Sequence, residues 1–149
     1  MILLAAAALI ALDPLSFFTG PTHGIGTIKI IFKGAQPIRV TSRGRPDGHG
    51  GMYLDQDVSE GGKPSQARHW YLRPTSATTV SGSLDPDASG PVLGSLSEQT
   101  LILSYPMKGG LTASQTLILQ PGGRVLLNHM IVKKLGLTVA TIDERISKD

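Results

Sequence analysis

From His23 to the end of the chain, short runs of alternating apolar and polar residues are broken about every ten residues by clusters rich in Gly, Pro, Asp and Ser, and this rhythm excludes most folds. In an extended strand successive side chains point to opposite faces, so a period of two marks a sheet with one buried side. No helical period of 3.6 survives after residue 13. The runs are Gly24–Phe32, Ile38–Arg43, Met52–Val58, Ala67–Arg73, Thr78–Leu84, Pro91–Leu96, Thr100–Tyr105, Thr112–Leu119, Val125–Lys133 and Leu137–Ile146. Turns are expected at Lys33–Pro37, Arg45–Gly51, Glu60–Pro64, Asp85–Gly90, Met107–Gly110 and Leu135–Gly136. None of these gaps is long enough for the crossover that parallel strands require. The expectation is an all-β antiparallel meander of about ten strands, closed into a barrel that leaves no edge unpaired.

The first residues differ. Met1–Leu12 is an unbroken apolar run of the length of an export-signal core, too short for the ~20 residues of a membrane-spanning helix. Residues 1–16 are therefore read as a signal peptide or N-terminal hydrophobic segment and residues 17–149 as the barrel domain. A buried helix packed on the barrel is the alternative for the apolar run. At 149 residues the chain fits one domain. With no cysteine, disulfides, thiolate metal sites, cysteine nucleophiles and iron–sulfur ligation are all excluded. The net charge of +3 is spread along the chain without a basic block. One Trp, three Tyr and three Phe offer little stacking platform, so nucleic acid is not an expected partner.

Several pieces together resemble DUF3833, a bacterial domain family of unknown function whose members are often classed as lipoproteins. The pieces are Phe17-Phe-Thr-Gly20 with Gly24 and Gly26, Leu54-Asp-Gln-Asp-Val58, Arg68-His-Trp70, the spaced Gly82, Gly90 and Gly94, and Asn128-His-Met-Ile-Val-Lys-Lys-Leu-Gly136. The resemblance runs from Phe17 to about Ile146. It implies a lipocalin-like barrel exported to the periplasm or cell envelope, and it implies no activity. Two departures stand out. Gln56 occupies a position usually held by Glu, which leaves Arg68 without a carboxylate there, and the lipobox cysteine of the lipoprotein members is absent. Membrane association is then expected only through the N-terminal apolar segment.

Candidate site residues follow from the strand faces. Leu54, Gln56 and Val58 share a face, as do Arg68, Trp70 and Leu72; pairing across the Lys63 hairpin would make Gln56 and Arg68 inward neighbours. An inward Arg68 beside Trp70 could hold an anionic head group while the cavity holds an apolar tail. Alternatively, Arg68 is a structural residue satisfied by backbone carbonyls and Gln56, or stacked on Trp70. Asn128 shares its face with Leu126, Met130 and Val132; it and Tyr105 are expected to line the interior.

Other chemistry finds no support. His23 and His49 fall in expected turns and His69 and His129 on separate strands, without the spacing of a metal site. Asp55 and Asp57 are expected outside, in solvent. There is no Gly-x-Ser-x-Gly, and Gly61-Gly-Lys-Pro-Ser65 has the wrong spacing for a phosphate loop. No cofactor or metal is expected. The leading reading is a non-enzymatic envelope protein binding a small apolar or amphipathic, lipid-like ligand through Gln56, Arg68, Trp70, Tyr105 and Asn128. An enzyme acting on such a ligand, and a structural or interaction protein whose barrel is filled by its own side chains, are the alternatives. A His or carboxylate inside the cavity beside Arg68 would favour the enzyme.

Overall fold

The alternation does what a half-buried strand requires. In the computed structural model, which describes residues 13–149, every run becomes a strand with one face inward. The strands are β1 (Gly20–Ile30), β2 (Lys33–Pro46), β3 (Met52–Glu60), β4 (Gln66–Pro74), β5 (Thr79–Asp85), β6 (Val92–Ser97), β7 (Thr100–Met107), β8 (Leu111–Leu119), β9 (Val125–Lys134) and β10 (Leu137–Lys148). Each pairs antiparallel with its neighbours in sequence, and β10 pairs with β1 from Thr22↔Lys148 to Ile30↔Ala140, which closes a lipocalin-like barrel. The expected apolar run Met1–Leu12 lies outside the described residues.

Register is fixed because one face is buried: a slip of one residue would turn every inward side chain to water. On β9 Leu126, Asn128, Met130 and Val132 are buried, and on β7 Leu101, Leu103 and Tyr105 are. Burying a large apolar side chain of this kind contributes about 1.5–3 kcal/mol.

One end of the barrel is closed. A short 3-10 turn, Ser16–Phe18, lays Phe17 (0% exposed) and Phe18 (5%) into the space between the strands, with Leu15 buried beside them. The chain then bridges to Gly44 through Thr19. A Cβ on Gly44 would fall 1.8 Å from the Phe18 carbonyl oxygen, so a residue without a side chain lets the plug approach β2. Lys148 reaches back from β10 and donates to the carbonyls of Phe17 (2.5 Å) and Thr19 (3.0 Å), its ammonium lying over the Phe17 ring.

The sequence expectations need three local corrections. The first turn is Ile31–Phe32 and not Lys33–Pro37, because a bulge at Lys29–Ile30 and a left-handed Phe32 (φ 63°) reverse the chain early. Lys33–Pro37 therefore extends β2. Gly20–His23 extends β1, which moves His23 from a turn into an exposed strand position.

Candidate functional site

Between the Phe17–Phe18 plug and the far rim, the barrel encloses a cavity of about 350 Å³. Most of its wall is aliphatic, contributed by such residues as Ile28, Val40, Leu54, Leu103 and Met130. Leu15 and Phe18 form its floor, and the exposed Ile31 is among its walls at the rim. The five residues singled out from the sequence, Gln56, Arg68, Trp70, Tyr105 and Asn128, all line this space. Gln56 and Arg68 are direct cross-strand partners between β3 and β4.

The polar groups form three small sets. In the first, the Trp70 indole N–H donates to Gln56 Oε1 (2.8 Å), and Gln56 Nε2 donates to Ser42 Oγ (3.2 Å). Gln56 thus orients the indole, which packs against Tyr105 in a T-shaped contact with centroids 5.5 Å apart. In the second set, Gln115 Nε2 donates to the Tyr105 hydroxyl (2.6 Å), and burial pushes the Tyr105 phenol up to about 12. The hydroxyl is neutral at any physiological pH.

Asn128 and Glu144 form the third set. They are opposite one another on β9 and β10, and Asn128 Nδ2 donates to Glu144 Oε1 (3.1 Å). Burial raises the Glu144 carboxyl above its ordinary range, opposed by the Asn128 bond and the charge of Arg68. Among the described residues neither Glu144 Oε2 nor Asn128 Oδ1 has a hydrogen-bond partner. A Cβ on Gly24 would lie 2.1 Å from Glu144 Oε2, so the bare backbone of β1 makes the space this carboxyl occupies.

Arg68 is not held as its sequence neighbours suggested. Asp87, from the loop between β5 and β6, brings Oδ2 to 2.5 Å from Arg68 Nε, both side chains about one-fifth exposed (21% and 19%). The oxygen lies off the N–H direction, since Nε makes no directed hydrogen bond. A carboxylate does therefore face Arg68, supplied by the loop between β5 and β6, whereas position 56 holds Gln and had suggested that Arg68 lacked one. Gln56 is committed to Trp70 and Ser42, and the aromatic partner of Trp70 is Tyr105.

Four polar cavity residues, Glu60, Asp87, Gln115 and Glu144, were missed by sequence reasoning. Two had a signal. Gln115 falls between Ala113 and Leu117, and Glu144 between Ile142 and Ile146, in the inward phase of their strands. Outside the barrel, His69 pairs with Asp55 (2.8 Å) and His129 with Asp143 (2.6 Å) across neighbouring strands, while His23 meets Asp149. All six of these side chains are about half-exposed or more, and Asp57 too is exposed. Among the described residues no three His, Asp or Glu gather as a metal set.

Fold and cavity together define a lipocalin-like barrel with an interior able to take a small guest. Among solved structures the chain is similar to the S-type phycobiliprotein lyase CPES from Guillardia theta, with a TM-score of 0.70 over 91% of this chain and 90% of that one. Sequence identity is 8%, so the likeness is one of fold. No family model matches the chain. No curated protein matches it either.

Proposed function

We propose that the barrel binds a small amphipathic ligand, with an apolar body against the aliphatic wall and an uncharged hydrogen-bonding group at Glu144 and Asn128. The observation that carries this reading is the pair of buried, unpartnered polar atoms, Glu144 Oε2 and Asn128 Oδ1, on the wall of an otherwise apolar cavity of about 350 Å³. A buried polar atom left without a partner costs about 1–3 kcal/mol, which a ligand donor and acceptor would recover. The volume falls at the small end of ligand sites, and a barrel filled by its own side chains would leave no such space.

Electrostatics favour a neutral polar group. Asp87 already neutralises Arg68, and burial favours the protonated form of Glu144. An anionic head, as Arg68 first suggested, would have to displace Asp87. Native mass spectrometry of protein purified from its own host tests the reading: a mass excess that vanishes on denaturation is expected, and a clean apoprotein mass would overturn it. Titration with long-chain alcohols and carboxylates, followed by the emission of Trp70, the only tryptophan, separates neutral from anionic heads.

A second reading, an enzyme acting on such a ligand, is favoured by the Asp87 carboxylate beside Arg68 in the cavity wall and by Glu144, since a carboxyl kept protonated in an apolar site is suited to general acid work. Turnover of a host lipid extract by the wild type and not by Glu144→Gln would select it. Export to the cell envelope and kinship with DUF3833 belong to the same proposal; the apolar run of residues 1–12 supports the first and the ordered motifs from Phe17 to Ile146 the second.

A further inference from the structure

The barrel end opposite the plug carries an unusual surface. Two hairpin tips meet there, Ile31–Phe32 between β1 and β2 and Leu135–Gly136 between β9 and β10, side by side because β10 pairs with β1. Phe32 is 98% exposed, Leu135 94% and Leu137 70%, and Ile31 beside them is about half-exposed. Isolated surface apolar residues are ordinary, but a cluster at loop tips is not.

Backbone conformation makes the choice of residues more pointed. Phe32 (φ 63°) and Leu135 (φ 51°) are the two non-glycine residues with positive φ among the described residues. The left-handed region favours Gly, Asn or Asp, and it is unfavourable for a bulky side chain. Leu135-Gly136, with both φ positive, occupies a turn that ordinarily takes Asn-Gly. Folding alone would be better served by a small polar residue at either tip, so the exposed side chains carry a use outside the fold.

Charge tells what that use is. Around the tips lie exposed Lys29, Lys33, Lys133 and Lys134, and there is no Asp or Glu in residues 29–37 or 131–139. Ile31 also belongs to the wall of the interior cavity, which places the patch at the cavity rim. We propose that this end of the barrel docks on an anionic lipid bilayer, with Phe32 and Leu135 inserted among the acyl chains and the lysines at the phosphate level. Apolar insertion and attraction to anionic lipid reinforce one another at such an interface. Docked in this way, the cavity rim faces the membrane and its guest can pass without crossing bulk water. Leu15, Phe17 and Phe18 fill the opposite end of the barrel, so the patch lies apart from the plug.

Co-sedimentation of the full chain with phosphatidylcholine vesicles, with and without phosphatidylglycerol, tests the proposal. Binding is expected to the anionic vesicles and to fall with salt. The double variant Phe32→Asn, Leu135→Asn should weaken it by at least about tenfold, and Lys133→Glu by about fivefold or more. Because Asn tolerates the left-handed region, the double variant should melt no lower than wild type, which separates lost docking from lost folding. Since the chain lacks cysteine, an environment-sensitive dye can be placed singly: on Phe32→Cys it should shift to the blue with vesicles, and on Gly122→Cys, at the plug end, it should not. Failure of wild type to bind, unchanged binding by the Asn variant, or a shift at position 122 alone would overturn the proposal. So would a wild-type dimer in size-exclusion chromatography that the Asn variant abolishes without any vesicle binding, which would make the patch a contact between copies.

Discussion

Replacing Gln56 by Leu puts a number on the polar wall of the cavity. The substitution keeps the side-chain volume roughly constant while removing both the acceptor of the Trp70 indole N–H and the donor to Ser42. Trp70 is 8% exposed, so its N–H gains little from water, and an orphaned buried donor costs about 1–3 kcal/mol. Gln56 is itself half-buried, and the gain from burying Leu is correspondingly small. Unfolding entropy near 2.1 cal/mol/K per residue amounts to about 0.3 kcal/mol/K for a chain of this length, so the melting temperature should fall by about 3–10 °C. The control is Gln56→Glu, which keeps an acceptor for Trp70, lets the Ser42 hydroxyl donate, and places a carboxylate opposite Arg68. It should lose much less. Thermal unfolding by circular dichroism gives the stability, and the emission of the single tryptophan reports the indole environment. A Leu variant that melts with wild type and emits at the same wavelength would show that the Trp70–Gln56–Ser42 chain orients nothing.

Three further outcomes are expected. Glu144 holds its proton in the folded state over a pH range where the unfolded chain has lost it, so its contribution to stability is complete below the ordinary carboxyl value of 4.5 and declines as pH rises above it; Glu144→Gln should flatten that decline in denaturant titrations from about pH 4 to pH 8, and an unchanged slope would contradict a buried acid. Gly24→Val should drive a side chain into the Glu144 carboxyl and lower stability by about 1–3 kcal/mol, a loss that Gly24→Val combined with Glu144→Ala partly restores in a double-mutant cycle. Lys148→Met removes the donor to the Phe17 and Thr19 carbonyls and should raise amide exchange at residues 17–19 while leaving β7 protected; uniform exchange across the barrel would argue against a separately held plug.

How much of this was legible in the sequence differs by residue. The inward phase of β9 could be read directly, because Leu126, Met130 and Val132 bracket Asn128 at a period of two. The pairing of Gln56 with Arg68 followed from a short hairpin loop. Glu144 and Gln115 obeyed the same period, but a charged or polar residue between apolar ones is usually read as outward-facing, and only a closed barrel shows that the interior holds it. Asp87 had no signal, since periodicity says nothing of where a loop returns. The early turn at Ile31–Phe32 was hidden for a different reason: Gly34 and Pro37 mark a turn on ordinary propensity, whereas the backbone turns at a phenylalanine that propensity disfavours.

Barrel closure has a consequence in time as well as in space. Every strand pair but one joins neighbours in sequence, and that one sets Thr22 against Lys148, near opposite ends of the described chain. Until β10 has been made and laid against β1, the growing sheet has two open edges and no enclosed interior. The cavity and the paired hairpin tips are thus the last features to exist, and a chain cut short within β10 would present unpaired edges that invite pairing with other chains.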